Sequence, residues 1–263
     1  MIRSGKIELM APAGNFESLQ AALNNGANSV YFGVEQLNMR ARASMNFTLE
    51  DLPEIVRRCE EKHVRSYLTL NTIIYDHDLS IVKTLIDRAK KAKVTAVIAM
   101  DQAVIGYARQ VGMEVHISTQ INITNIETVR FYSLFADTMV MSRELSLRQV
   151  KKICEQIEKE QIKGPSGNLV EIEIFGHGAL CMAISGKCYL SLHSHNSPAN
   201  RGACKQNCRK KYTVTDQESG FEIEIDNEYL MSPKDLCTLD FLDQVIATGA
   251  RVLKIEGRGR APE

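Results

Sequence analysis

The chain alternates short runs of consecutive apolar residues with longer stretches in which apolar positions recur at helical spacing. The short runs are typical of buried strands, and the spaced positions are typical of amphipathic helices. Eight strands are predicted, over residues 7–11, 29–34, 65–74, 95–100, 115–119, 138–141, 169–175 and 252–255. Helices are predicted between them, over residues 15–23, around 52–56, and over 79–93, 102–110, 126–134, 147–157 and 236–247.

This alternation indicates an α/β protein, and the eight strands favour a (β/α)8, TIM-like barrel that forms one domain over residues 1–263. A doubly wound open sheet is the alternative. The barrel is preferred because no Gly-x-Gly-x-x-Gly fingerprint follows the first strand. The chain stops directly after the eighth strand. We therefore expect the final barrel helix to be missing and the chain to be truncated at its C-terminus.

The regular alternation breaks after the seventh strand, where residues 176–232 form an insertion rich in Gly, Ser, Asn, His and Arg. Two alternating runs within it, over residues 212–215 and 221–225, predict a small β-hairpin. Four of the seven cysteines of the chain lie in this insertion. The insertion is therefore the segment in which we expect the chemistry to be concentrated.

Composition adds three limits to this interpretation. Lys and Arg together number 32, as do Asp and Glu, so net charge alone gives no argument for nucleic-acid binding. The N-terminus lacks the apolar region of a secretory signal, and no apolar run approaches the roughly 20 residues of a membrane span. We therefore predict a cytoplasmic protein with no membrane partner. The odd number of cysteines argues against a disulfide framework.

The spacing of the insertion cysteines, Cys181, Cys188, Cys204 and Cys208, is Cys-x6-Cys-x15-Cys-x3-Cys. Structural zinc usually binds close Cys-x2-Cys pairs, whereas a [4Fe–4S] cluster suits ligands that are more widely spread. The spacing therefore favours an iron–sulfur cluster, with zinc as the alternative. Cys237 lies just beyond the insertion and is an alternative to Cys208 as the fourth ligand.

Basic residues crowd the same segment: Lys187, Arg201, Lys205, Arg209, Lys210 and Lys211. They suit two functions, because cations beside an anionic cluster raise its potential and cations beside aromatic residues bind RNA phosphates. A solvated charged loop is the third explanation.

In a barrel of this type the catalytic face is built at the carboxyl ends of the strands. Polar residues occupy those ends in this sequence: Asn71, Asp101, Gln120, Asn122, Arg143, Glu144, His177, Glu256 and Arg258. His177 and Glu256 are the candidates for proton transfer. The sequence contains no Gly-x-Ser-x-Gly, His-Glu-x-x-His or P-loop motif, so hydrolysis by these devices has no support.

Several segments resemble peptidase family U32. They are residues 9–15 (LMAPAGN), 142–146 (SRELS), 173–181 (EIFGHGALC), 185–191 (SGKCYLS), 200–209 (NRGACKQNCR) and 254–258 (KIEGR). The resemblance implies an iron–sulfur centre on Cys181, Cys188, Cys204 and Cys208, and it favours Cys208 over Cys237. Members of this family hydroxylate RNA or quinone precursors, and the RNA branch is associated with prephenate. The resemblance also implies further chain after the last of these segments.

The leading hypothesis is an enzyme that hydroxylates C5 of the wobble uridine in tRNA, with prephenate as a possible co-substrate and an electron donor as a possible partner. The predicted substrate-binding residues are Asn71, Gln120, Arg143, Arg201, Arg209, Arg258 and Arg260. The arginines are expected to meet phosphates or the carboxylates of prephenate. The alternatives are a collagenase-like peptidase, hydroxylation of rRNA or a quinone precursor, and a zinc-stabilised RNA-binding module. The sequence does not indicate an oligomeric state.

Overall fold

Eight parallel strands close into a barrel in this computed structural model, which describes residues 6–41, 47–225 and 230–259. Each strand pairs with the next along the chain, and the eighth pairs with the first. The barrel strands are β1 (Glu8–Ala13), β2 (Ser29–Phe32), β3 (Arg65–Leu70), β4 (Ala96–Ala99), β5 (Glu114–Ile117), β6 (Thr138–Val140), β7 (Glu171–Gly178) and β11 (Val252–Ile255). Three further strands lie between β7 and β11: β8 (Tyr212–Thr215), β9 (Glu222–Ile225) and β10 (Leu236–Cys237).

Helices connect the barrel strands on the outside. They are α1 (Phe16–Asn24), α2 (Leu52–Glu61), α3 (Leu79–Lys91), α4 (Gln102–Gln110), α5 (Ile126–Tyr132), α6 (Leu147–Glu160) and α8 (Leu242–Ile246). Their start signals are local. The Asn15 side chain accepts a hydrogen bond from the Ser18 amide at the start of α1, and Ser146 and Gln149 form a capping box at the start of α6. Hydrogen bonds between neighbouring residues therefore define where these two helices begin.

The main hydrophobic core lies between the strands and the helices. A second, smaller cluster fills the barrel itself and comprises Met10, Tyr31, Tyr67, Ala96, Ile98 and Val252. The barrel interior also holds polar contacts, since the Tyr67 hydroxyl donates to Glu8 Oε1 at 2.9 Å. Charged groups therefore lie inside a barrel whose interior positions are commonly apolar.

The insertion contains α7 (Leu190–His195) and a hairpin of β8 (Tyr212–Thr215) and β9 (Glu222–Ile225). It is joined to the barrel loops by backbone contacts, such as the hydrogen bond from the Ile73 amide to the Asn200 carbonyl at 3.1 Å. Gly202 has φ +78°, and a Cβ there would overlap the Asn38 carbonyl oxygen. This close approach brings the cysteine segment against the loop that follows β2.

The predicted barrel with a cysteine-containing insertion and a hairpin after the seventh strand is confirmed. One predicted element is wrong. Residues 236–247 do not form one helix, because Leu236–Cys237 form β10, which pairs antiparallel with the end of β7, and α8 begins only at Leu242. One long helix and a short strand followed by a shorter helix are both compatible with the apolar spacing of this segment, so the sequence pattern did not distinguish them. No helix among the described residues has the length and apolarity required to cross a membrane.

Candidate functional site: a cationic cavity lined by four cysteines

A cavity of about 230 Å³ opens at the carboxyl ends of the barrel strands, beneath the insertion. All four insertion cysteines line it: Cys181, Cys188, Cys204 and Cys208. The remaining lining includes residues from β2, β3, β7 and β11 and from the loops after them. Topology thus gathers on one surface side chains that are far apart in the sequence. This is the face on which barrels of this type carry their sites.

Cys204 is the most hydrogen-bonded of the four thiols among the described contacts. Its sulfur accepts from the Gln206 amide at 3.4 Å and from the Ser191 hydroxyl at 3.9 Å. Burial raises the pKa of Cys208, and negative charge on the other three cysteines raises it further. Within the described ranges, no three Cys, His, Asp or Glu side chains lie close enough together to hold a single metal ion.

Glu256, at the end of β11, is the carboxylate of the cavity. Arg40 contacts its Oε1 at 2.9 Å, and the Tyr31 hydroxyl donates to its Oε2 at 3.1 Å. Burial favours the neutral acid, but the charges of Arg40, Arg258 and Lys254 outweigh this effect and lower the pKa of Glu256. Burial also raises the pKa of Tyr31 well above its ordinary value. Glu256 is therefore ionised and Tyr31 is neutral at physiological pH.

Arg258 is 4% exposed and lies beside Glu256. Its Nη1 donates to Thr69 Oγ1 at 2.6 Å and its Nη2 donates to Asn38 Oδ1 at 2.7 Å. Burial lowers the pKa of Arg258 to about 10. Its Nε is buried and has no hydrogen-bond partner among the described residues. A buried donor of this kind is costly unless a ligand or water satisfies it.

Two further groups of contacts fix the polar wall. Asn71 accepts from the Met39 amide at 3.1 Å and donates to Ser118 at 3.1 Å and to Gln120 at 3.3 Å. This network holds the Gln120 amide in one orientation at the cavity surface.

Arg143, which follows β6, donates to the Ser185 hydroxyl at 2.7 Å and lies 5.6 Å from the centre of the Phe175 ring. It therefore links the barrel to the insertion, while its side chain still lines the cavity.

Lys254 lies deeper, on β11, and its ammonium contacts Glu173 Oε1 at 2.9 Å. The ammonium also lies 4.4 Å from the centre of the Tyr31 ring. Glu173 is fully buried, and its second oxygen has no partner among the described atoms. Lys254 lines the cavity, so this ion pair joins the site to the interior of the barrel.

The lining has more positive than negative charge, since it holds five cationic side chains, and three carboxylates, Glu256, Glu173 and Asp235, pair with three of them. The cations are Arg40, Arg143, Arg209, Lys254 and Arg258. The excess of positive charge inside a partly enclosed cavity favours the binding of anions.

Two predicted residues, His177 and Cys237, lie outside the cavity lining, and a bulge in β7 accounts for the position of His177. Phe175 faces Lys254 and His177 faces Ile255, so Gly176 is an extra residue in β7. A bulge of this type turns the following side chain to the other face of the sheet. His177 is consequently exposed and does not line the cavity. Cys237 on β10 is paired with His177, is exposed and is also absent from the lining.

The predicted arginines differ in their positions. Arg201 contacts Asp78 through two nitrogens, at 2.6 and 3.2 Å, and lies over the Tyr75 ring, so it anchors the insertion instead of lining the cavity. Arg209 lines the cavity and donates to the Leu180 carbonyl at 3.0 Å. Arg260 lies outside the described residues. The site roles assigned from the sequence stay predictions.

Sequence reasoning missed Arg40, Tyr31, Lys254 and Glu173. Lys254 and Glu173 could have been found from the sequence, because a charged residue in the middle of an apolar barrel strand is unusual. Arg40 had no comparable signal, since it follows β2 in a loop whose path the sequence pattern does not define.

The sequence model of peptidase family U32 matches residues 14–263. A solved structure described as a U32 peptidase superposes with a TM-score of 0.62 at 11% identity, covering 100% of this chain and 97% of the other. At this identity the likeness concerns the fold alone. It extends over the insertion as well as the barrel.

Curated relatives carry two kinds of name. A Porphyromonas gingivalis protein named collagenase is 58% identical over 97% of this chain. A Bacillus subtilis protein named tRNA hydroxylation protein P1 is 34% identical over 96%, and an Escherichia coli 23S rRNA 5-hydroxycytidine synthase is 33% identical over 98%.

This chain covers 62%, 59% and 37% of those three relatives, respectively. Their sequences therefore extend well beyond the region they share with this chain. The matched region nevertheless includes both the barrel and the insertion that carries the four cysteines. The chain belongs to peptidase family U32.

Proposed function

We propose that the protein hydroxylates RNA, with C5 of the wobble uridine in tRNA as its target and a [4Fe–4S] cluster as its cofactor. The observation that carries this proposal is the composition of the cavity, which is lined by four cysteines and five cationic residues. Relatives named for tRNA and rRNA hydroxylation support the reaction class.

The donor set suits an iron–sulfur cluster. Four thiols line one cavity, and the wide sequence gaps between Cys181, Cys188 and Cys204 suit a cluster better than a zinc ion, which usually binds close Cys-x2-Cys pairs. Cys181, Cys188, Cys204 and Cys208 would hold the cluster, and the Gln206 amide would donate to the Cys204 sulfur. When bound, a cluster supplies one-electron transfer at the cavity surface.

The cationic lining supports an anionic co-substrate, and a dicarboxylate such as prephenate suits it. Arg258 and Arg143 both line the cavity, Arg258 on the segment after β11 and Arg143 on the loop after β6. Guanidinium groups bind carboxylates in paired hydrogen bonds, so two separate arginines suit a ligand with two carboxylates. Glu256 is already paired with Arg40 and so does not repel such a ligand with its full charge.

The rim of the cavity supports contact with RNA. Lys187, Lys205 and Lys210 are exposed in the insertion, and Tyr189 is 72% exposed. Lysines neutralise phosphates, and an exposed aromatic ring offers a surface on which an unpaired base stacks. A wobble base in an anticodon loop is unpaired, so little pairing energy is lost when it enters the cavity.

The test is mass spectrometry of tRNA nucleosides from cells that lack the gene and carry a plasmid copy of the complete protein. The wild-type copy is expected to restore 5-hydroxyuridine, and Cys188→Ala is expected to restore none. Cys237→Ala is the matched control, since this thiol lies outside the cavity. Unchanged 5-hydroxyuridine in the deletion strain, with no second pathway present, would refute the tRNA assignment. A loss of 5-hydroxycytidine from rRNA would instead support the rRNA alternative.

The second candidate is a peptidase, and the 58% identity to a relative named collagenase favours it. Among the described lining residues there is no histidine beside a serine or cysteine, which is the usual nucleophile–base arrangement. Cleavage of gelatin by metal-free protein, retained in Cys181→Ala/Cys188→Ala, would establish this alternative. A brown, iron-containing protein that leaves gelatin intact would exclude it.

A further inference from the structure

Lys254 and Glu173 form a buried ion pair beside the cavity. Lys254 lines the cavity, and its ammonium contacts Glu173 Oε1 at 2.9 Å. Glu173 is fully buried and its Oε2 is unpartnered among the described atoms. The pair therefore has one residue that lines the cavity and one residue held inside the barrel.

The pair is difficult to explain as a stabilising device. Charges removed from water lose more solvation than a single ion pair usually returns, and apolar residues of similar size would serve as well or better. Some neighbouring interior positions are apolar, such as Met10, Ile98 and Val252, whereas Tyr67 and Glu8 form another polar contact inside the barrel. The Lys254–Glu173 pair differs from the Tyr67–Glu8 contact because Lys254 also lines the cavity, where a ligand would bind.

Lys254 is also the best placed proton donor among the described lining residues. The other four cations are arginines, which ordinarily hold their protons more tightly than lysine. Arg258 has a pKa lowered to about 10, but its Nη1 and Nη2 already donate to Thr69 and Asn38. Glu256 is held ionised by Arg40, and Tyr31 is held neutral by burial. His177 lies on the outer face of β7. The cysteines are assigned to the cluster, so Lys254 is the amine that remains to exchange a proton with a ligand.

We propose that Lys254 is a catalytic general acid and that Glu173 is its positioning residue. The Lys254 ammonium donates a proton to a carbonyl oxygen of the pyrimidine substrate as negative charge develops there. One N–H bond breaks and one O–H bond forms, leaving a neutral amine hydrogen-bonded to the Glu173 carboxylate. The reverse transfer restores both groups. This inference rests on the proposed RNA hydroxylation and adds the residues that move the proton.

The test compares variants in the complete protein, with 5-hydroxyuridine formation as the readout. Lys254→Ala is expected to lower the rate by about 10²–10⁴-fold, the usual contribution of a general acid. Added methylamine or ethylamine is expected to restore part of the rate, because a small amine fits the space that the side chain vacates. A merely structural role would not respond to amines. Lys151→Ala, on the exposed face of α6, is the matched control and is expected to behave as wild type.

Because Lys254→Ala leaves Glu173 unpaired, the double variant Lys254→Met/Glu173→Gln removes both charges and protects the fold. It is expected to retain wild-type iron content while losing the same activity. Glu173→Gln alone is expected to lower kcat by roughly tenfold with KM unchanged. This variant keeps the Lys254 amine but removes the carboxylate that orients it. Wild-type rates in both Lys254 variants would overturn this inference alone. Absence of product from the wild type would overturn the proposed function, and this inference with it.

Discussion

The barrel wall and the cysteine insertion are stabilised in different ways. The barrel is built on large buried apolar side chains, of which Phe32, Leu68 and Ile98 are almost fully inaccessible. The buried residues of the insertion are small or polar, and include Ser185, Ser191, Ser197, Ala199, Ala203 and Asn207. Side-chain hydrogen bonds replace apolar packing there, such as Ser197 Oγ to the Ala203 carbonyl at 2.7 Å.

This difference indicates how each region keeps its shape. Burial of apolar surface is sufficient for the barrel, at roughly 25 cal/mol for each Å² removed from water. The insertion buries little such surface, so we expect the contacts with the barrel loops, together with the proposed cluster, to supply much of its order. The barrel should therefore tolerate loss of the cluster better than the insertion does.

The largest expected effect separates the two regions directly. In Cys188→Ala, cluster binding is expected to be lost, and limited proteolysis is expected to cut the insertion at least tenfold faster. The cooperative thermal transition of the barrel should persist, because none of its core contacts involves this cysteine. Proteolysis followed by mass spectrometry checks this. Equal protection of the insertion in wild type and variant would show that the cluster does not order it.

The reverse experiment weakens the barrel and spares the site. Phe32 packs edge-on against Phe47, with ring centres 5.8 Å apart, and Phe32→Ala is expected to lower the free energy of unfolding by about 3–5 kcal/mol. Iron per folded chain should stay at the wild-type value. Urea denaturation and metal analysis measure the two quantities on the same sample. Loss of iron from the folded variant would contradict the independence of the two regions.

The contact between the regions can be weakened at Arg201. Arg201→Met leaves Asp78 buried without the two hydrogen bonds that Arg201 donates to it. We expect the free energy of unfolding to fall by about 1–3 kcal/mol. Hydrogen exchange should accelerate around residues 199–204 more than in the barrel strands. Arg130→Met is the matched control, because its ion pairs with Glu127 and Glu160 are exposed and worth about 0–1 kcal/mol.

The smallest effect is the acid dependence of the same contact. Burial favours the neutral acid, but hydrogen bonds and charge from Arg201 outweigh it and lower the pKa of Asp78. A lowered pKa in the folded state gives stability that is complete above the ordinary aspartate pKa of about 4. This stability is lost as the pH falls through the lowered value. We therefore expect the wild type to have a larger free energy of unfolding than Asp78→Asn at pH 7. This difference in free energy should become smaller as the pH is lowered to 3, which urea denaturation at each pH measures.

Much of the fold was predictable because its signals are local. The apolar runs and the caps at Asn15 and Ser146 define the barrel elements within a few residues. Residues 236–237 were misassigned because a two-residue strand pairs with a distant partner and leaves no local signal.

The site was predictable only in part. The cysteines are adjacent enough in sequence to suggest a shared centre, and the strand ends suggested Asn71, Gln120 and Arg258 as neighbours in the cavity. The orientation of His177 depends on one bulge at Gly176, which strand alternation does not reveal. The position of Arg40 depends on the path of a loop. Features that depend on a single register shift or a loop path require the structure.

The central claim is that the four insertion cysteines hold one iron–sulfur cluster at the mouth of the barrel. The most direct test is iron, zinc and acid-labile sulfide analysis of the complete protein purified without oxygen, beside Cys188→Ala and Cys237→Ala. We predict about four iron and four sulfide per chain in wild type and Cys237→Ala, and neither in Cys188→Ala. One zinc without sulfide, or iron that survives Cys188→Ala but not Cys237→Ala, would contradict the account.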